Sequence, residues 1–370
     1  MSASDKLDIA ILPSGAKHAA IVLARCGCDM AIAMLPATQE LKTLLAFKER
    51  INTVLLLNQT RPTKVELTAF GRALFDYIVR DDVRRLYDRL PVDTLTRFQI
   101  LVMIPELQAL PWEYLQDPKH APGPWTNRSI IRVIPMIGHT PPPPLQLTQL
   151  AATGSKIRIL FVYAVPQDQD LVSWPSVKAK MEEAFSRRIP TEHYELKTIR
   201  GTTEELFAAL EDNNARYDIF QFSGHGDVDP QTNEGRILLV NSKKNDESLP
   251  LGASDLAILL EARGIRLAVL SACLTSAGNS ADPFNVVAEA LLTAGVPAVI
   301  ANHLPIPDQS VATFVGSLYK LLVDTGDIDR AVNAGRLRLA VELATGSDAT
   351  LEWGIPTLYR HIDGAQVFQP

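Results

Sequence analysis

The chain has 370 residues, 46% of them apolar and 21% charged, with a formal net charge of −6. That length favours two domains, and the composition is ordinary for a globular protein, so wholesale disorder is excluded. The acidic balance excludes the global basic field of a DNA-coating protein, and three cysteines, Cys26, Cys28 and Cys273, are too few for a disulfide framework.

Such cysteine usage suits a reducing compartment. The N-terminus, Met1-Ser2-Ala3-Ser4-Asp5, begins polar and lacks a basic region followed by an apolar run. The most apolar stretch, 290–301, is interrupted by Thr293, Gly295 and Pro297 and is shorter than the roughly 18 residues a membrane helix needs. A cytoplasmic protein that makes no direct nucleic-acid or membrane contact is expected.

Residues 8–12 and 19–24 read as strands around a Pro13-Ser14-Gly15 turn, and 31–35 as a third. Helical spacing runs over 39–57 and over 65–90. Residues 97–104 and 129–134 are apolar enough for buried strands. Four consecutive prolines, Pro141 to Pro144, then lead into a small and polar stretch, the composition of a connector. The expected division is an N-terminal α/β unit over 1–145 and a second domain over 155–370; a long loop inside one domain has the same composition.

Beyond the prolines, strands and helices alternate. Strands are expected at 156–164, 194–200, 217–222, 236–240, 265–271 and 296–301, and helices at 172–188, 203–211, 256–262, 283–293, 308–322 and 327–343. Thr202 or Thr203 with Glu205 can cap the second of these helices, and Pro283 suits a first turn. Continuous apolar strands between helices predict an α/β fold with a mostly parallel sheet covered on both faces.

Two of these strands end in chemically useful residues. Phe222-Ser223-Gly224-His225-Gly226 follows 217–222, and Ser271-Ala272-Cys273 ends 265–271. Catalytic groups in open α/β sheets gather at the carboxyl ends of strands. The His precedes the Cys by about 50 residues, the order of the caspase type. A thiol attacks a peptide carbonyl only as thiolate and needs a proton acceptor, a task that a histidine performs near neutral pH. The N–H groups of Gly226 and Cys273 are candidate donors to the developing oxyanion. No metal or organic cofactor is required.

These motifs resemble those of the CHAT proteases, of the caspase and separase clan of cysteine peptidases. Besides SGHG and SAC, the similarity takes in Leu110-Pro111-Trp112-Glu113 upstream, the run from Ala294 to Ser310, and the closing Glu352-Trp353-Gly354-Ile355-Pro356-Thr357-Leu358-Tyr359, and so spans about residues 60 to 368. The resemblance implies a caspase-like fold preceded by a smaller, non-catalytic caspase-like unit. It also implies a His225–Cys273 dyad, a protein or peptide substrate, and a regulatory or sensor protein partner, since bacterial members often act in defence systems. Two departures bear on specificity: the run after Cys273 is Leu-Thr-Ser-Ala-Gly, and Leu304 stands where a Trp is common.

Metacaspases place an Asp two positions before the Cys to select basic P1 residues. Here that position is Ser271, so a small or apolar P1 is expected. Ser223, Ser271, Asp227 and Asp282 are the candidate substrate-binding residues, and Asp229, Asp255 and Asp308 are other acids whose ordinary role is a turn, a helix cap or a solvated charge. Cys26-Gly27-Cys28 with only His18 nearby lacks the four ligands of a structural zinc site and reads as a strand end or hairpin. Trp112 and Trp353 read as core, and Arg336 and Arg338 as a solvated helix face. Two other functions fit the same residues: a catalytically silent caspase-like binding or scaffold module, and a thiol hydrolase or acyltransferase that does not cut peptides. Oligomeric state has no signature in the motifs.

Overall fold

The computed structural model describes residues 6–15, 20–35, 39–57, 59–91, 96–119, 128–134, 142–148, 154–211, 216–232, 234–261, 263–274, 283–304, 306–342, 350–361 and 366–369, with the backbone alone at 56, 272–274 and 283–285. The chain divides into two compact units, one of residues 1–133 and 336–355, the other of 134–335 and 356–370.

The first unit is built on five strands: β1 (Lys6–Pro13), β2 (Ala20–Cys26), β3 (Asp29–Leu35), β4 (Thr96–Val102) and β5 (Arg128–Val133). β1, β2 and β3 form an antiparallel meander, and β4 runs parallel to β1 and β5. The two-residue loop Gly27-Cys28 joins β2 to β3, with Gly27 at φ 60°, a conformation that glycine adopts without steric cost.

Helical spacing over 65–90 predicts one long helix, and two are found, Lys64–Ile78 and Asp81–Tyr87. The first begins at a capping box, with Thr63 Oγ1 accepting from the Glu66 N–H and Glu66 accepting from the Thr63 N–H. The break has a packing cause. Along one helix Phe75 and Tyr87 would stand about 18 Å apart. Their ring centroids are 5.0 Å apart, edge to face, and Tyr87 also meets Phe98 of β4. A reversal at Val79–Arg80 brings both rings into one core.

Arg336 is buried at 2% exposure, with Nη1 donating to the Ile130 carbonyl, so only Arg338 has the solvated position expected of both. Trp112 and Trp353 are buried, as expected. Glu113, inside the Leu-Pro-Trp-Glu segment, accepts from Arg132 Nε at 3.0 Å and from its Nη2 at 2.8 Å, while the same guanidinium also donates to the Gln108 and Leu110 carbonyls. Both ions are buried, and the two-pronged geometry offsets the desolvation of both.

The second unit contains β6 (Leu145–Gln146), β7 (Ile157–Tyr163), β8 (Tyr194–Arg200), β9 (Ile219–Val228), β10 (Gly235–Asn241), β11 (Glu247–Gly252), β12 (Leu267–Leu274), β13 (Ala298–Asn302), β14 (Pro356–Arg360) and β15 (Phe368–Gln369). Its main sheet runs β8-β7-β9-β12-β13-β14, parallel except for β14. The strands predicted near 156–164, 217–222, 265–271 and 296–301 are thus neighbours in one sheet. The hairpin β10–β11 pairs with the carboxyl-terminal part of β9.

Alternation along the strands sorts their residues between two helical layers. Phe220, Phe222, Ala268 and Leu270 face one way, into a core with Leu206, Leu256 and Leu291 from helices Thr203–Glu211, Ala253–Leu260 and Pro283–Thr293. On the other face the helices Trp174–Ser186 and Asp308–Thr325 pack against each other, with Trp174 against Phe161 and Phe185 against Tyr319. Each large apolar side chain buried this way stabilises the fold by about 1.5–3 kcal/mol. Among the described residues no helix is long and apolar enough to cross a membrane.

Candidate active site

The SGHG and SAC motifs are expected just beyond their strands. Both lie inside them: β9 continues to Val228 and β12 to Leu274. The cause is pairing. β12 accompanies β9 through Leu274↔Gly226, and β10 takes up the last residues of β9 from the other side, at Leu238↔His225 and Ile237↔Gly226. Cys273 is the register partner of His225, and Ser271 that of Ser223. Residues so paired share one face of the pleat on strands about 4.8 Å apart.

The opposite face explains the glycine before the histidine. A Cβ built on Gly224 would lie 2.6 Å from the Phe222 ring and 3.0 Å from the Ala164 carbonyl oxygen. Ala164 belongs there because its N–H donates to the Ser223 carbonyl, extending the β7–β9 pairing. Only a residue without a side chain lets β9 carry His225 past that point.

His225 is 3% exposed. Its Nε2 lies 2.7 Å from the Asp170 carbonyl oxygen. A carbonyl only accepts, so Nε2 carries the proton and, in the neutral ring, Nδ1 keeps its lone pair. Nδ1 is buried and has no hydrogen-bond partner among the described residues. The ring is therefore fixed in the tautomer that can accept a proton at Nδ1.

Three ties hold the segment that supplies this carbonyl. The Gln167 N–H donates to the Asp246 carbonyl. Asp168 accepts from the Ser248 N–H at 2.8 Å and from its hydroxyl at 2.7 Å. The Ser173 N–H donates to Asp308 at 2.6 Å. Asp308 thus spends its carboxylate on this segment, and the start of its own helix has no side-chain cap. The Ser248 hydroxyl is the main reason that the Asp168 carboxyl titrates below its ordinary value, with further help from the Ser248 N–H.

Beneath His225 a polar chain crosses the sheet. Gln221 donates to Ser271 Oγ at 3.0 Å and accepts from the Tyr319 hydroxyl at 2.9 Å. Burial pushes the Tyr319 phenol far above its ordinary value and keeps it a donor. Ser223 is wholly buried, and its hydroxyl has no partner among the described residues.

Of the acids considered from sequence, Asp227 gives both oxygens to Arg236 at 2.8 and 2.9 Å, and Asp229 adds a third bond at 2.8 Å. Asp229 also accepts from the Gln231 and Thr232 N–H groups, an ordinary turn role. Asp255 is exposed in the first turn of its helix. Asp282 and the run 275–278 after Cys273 lie outside the described residues, as do 135–141 of the proline-rich connector.

Sequence reasoning passed over Asp170, Asp168, Ser248 and Gln221. Gln221 had a readable signal, a lone amide in an apolar strand that must find partners when buried. Asp170 had none, because its contribution is a backbone carbonyl.

Residues 68–360 match the CHAT domain model. No curated protein sequence matches the chain. Among solved structures it is similar to a chain of the Saccharomyces cerevisiae separase–securin complex in two crystal structures, with TM-scores of 0.48 and 0.49 and 11% identity, over 97% of this chain and 30% of that one. It is also similar to the Arg-specific cysteine proteinase gingipain R, with a TM-score of 0.47 and 11% identity, over 81% of this chain and 68% of that one. The chain therefore spans about 30% of the length of the separase-complex chains it matches. With a family model covering most of its length, and SGHG and SAC on the two central strands of a largely parallel α/β sheet, the chain belongs to the CHAT domain family.

Proposed function

We propose that this chain is a cysteine endopeptidase whose nucleophile is Cys273 and whose proton carrier is His225. The supporting observation is the register pairing of Cys273 with His225 on adjacent parallel strands, beside a ring whose Nε2 is committed to the Asp170 carbonyl. In this reading His225 Nδ1 takes the thiol proton. The thiolate attacks the peptide carbonyl, and the Cys273 N–H receives the developing oxyanion. Nδ1–H then protonates the leaving amine, and a thioester remains on Cys273. Water, deprotonated by the same ring, releases the acid and restores the thiol.

The substrate in this reading is another protein, cut within its chain, and defence or signalling is the setting in which the activity would serve. A regulatory protein partner, which the family resemblance implies, would raise this cleavage above the rate of the chain alone. The chain acts without a metal or organic cofactor. The test is a peptide-library cleavage profile of the full chain beside Cys273→Ala, together with mass-spectrometric capture by a peptidyl acyloxymethyl ketone. Cleavage and a single adduct on Cys273, both absent from the variant, are expected. Library cleavage that persists in Cys273→Ala overturns the reading.

A further inference from the structure

The meander of the first unit ends in β3, which among the described residues pairs with β2 alone. One face of β3 is spent: Ala31, Ala33 and Leu35 are buried, with helix Asp81–Tyr87 packed on the strand. The other face carries Met30, Ile32 and Met34 at 63%, 57% and 54% exposure. Behind them Leu23 of β2 lies beside Ile32, and Ile21 beside Met34, both half-buried. Edge strands usually carry charges, prolines or bulges that block pairing. From Met30 to Leu35 there is none, and all six residues are apolar.

The hairpin fixes which backbone groups face outward. Cys26 and Asp29 close a two-residue loop, so they form a hydrogen-bonded pair. Bonded and non-bonded pairs alternate in an antiparallel ladder. Ala31, Ala33 and Leu35 therefore bond to β2, and Met30, Ile32 and Met34 direct their N–H and C=O groups away from it. The outward residues are symmetric in sequence: Met30-Ala31-Ile32-Ala33-Met34 reads the same in both directions.

We propose that the chain forms a two-fold homodimer by antiparallel pairing of β3 with β3 of a second copy, centred on Ile32. In that register Ile32 bonds reciprocally to its own counterpart, and Met30 pairs with Met34 of the other copy on each side. All six outward N–H and C=O groups of each strand find partners, and like apolar side chains stack in cross-strand pairs. A two-fold interface needs a self-complementary patch, and a palindromic strand supplies one. A heterologous partner would have no use for the symmetry. The pairing does not depend on the proposed peptidase activity.

Sedimentation velocity on the full chain over a range of concentrations tests it, with Ile32→Lys as the variant that sets two like charges at the two-fold axis. A dimer for the wild type and a monomer with unchanged far-ultraviolet circular dichroism for Ile32→Lys are expected. A wild type that stays monomeric at about 100 μM, or an Ile32→Lys variant that still dimerises, overturns the proposal. Should Ile32→Lys misfold, oxidative cross-linking on a Cys26→Ser, Cys28→Ser background decides. Opposed bonded residues lie about 5.5 Å apart at Cα, within disulfide reach, whereas the two copies of residue 30 would be about 14 Å apart. Ile32→Cys should cross-link and Met30→Cys should not; the reverse result refutes the register.

Discussion

Cys273 and His225 are register partners on β12 and β9, two parallel strands at the centre of one sheet. Forty-seven residues separate them in sequence, and the ladder makes them lateral neighbours. The pairing ties both to a rigid scaffold, and the Asp170 carbonyl fixes the ring's tautomer.

Thiol reactivity should follow that placement. Cys26 is pushed above its ordinary value by burial, then by Asp29 and Asp8. Thiolate character sets the rate of alkylation. With iodoacetamide under limiting conditions, Cys273 should be modified first and Cys26 last. His225→Ala should slow only Cys273, bringing it to the rate of exposed Cys28. Peptide mapping measures all three, and equal rates in the wild type would remove the case for an activated nucleophile.

Tyr319→Phe should cost stability without changing the fold. It leaves the Gln221 carbonyl oxygen, buried under the site, without its 2.9 Å donor. An unpaired buried acceptor costs about 1–3 kcal/mol. The denaturant midpoint should fall accordingly with an unchanged slope. A variant as stable as the wild type would mean that water or another side chain replaces the hydroxyl.

Asp168 gives a pH dependence whose sign is fixed. Hydrogen bonds from Ser248 lower its folded pKa, so the carboxylate is favoured in the folded state. The stabilisation is complete above the ordinary Asp value of about 3.9 and is lost as pH falls through the lowered folded value. The protection factor of the Ser248 amide, corrected for intrinsic exchange, should hold above that pH and fall below it. Asp168→Asn should lower protection at neutral pH and make it insensitive to acid. Acid-insensitive protection in the wild type would refute the tie.

Substrates with a small or apolar P1 should be cut faster than matched ones with Arg or Lys. Ser271 is neutral and already accepts from Gln221, and Asp227 has both oxygens on Arg236. A buried P1 guanidinium needs well-placed carboxylate oxygens to offset its desolvation. Paired fluorogenic peptides differing only at P1 measure the ratio, and a clear preference for Arg would send attention to Asp282.

The sequence alone determined the sheet strands near 156–164, 217–222, 265–271 and 296–301, since strands buried on both faces must be apolar throughout. It also singled out His225 and Cys273, because few residue types can deliver or accept a proton near neutral pH. What it could not determine depends on partners distant in the chain. SGHG and SAC are strand and not turn because β10 and β12 supply ladder partners for β9. The helix predicted over 65–90 breaks at Val79–Arg80 because Phe75 and Tyr87 share a core. Arg336 is buried because the Ile130 carbonyl receives it. The Asp170 carbonyl reaches His225 only because Asp246, Ser248 and Asp308 hold its segment from three other elements. A backbone carbonyl is the same at every residue, so only tertiary structure decides which one serves the site.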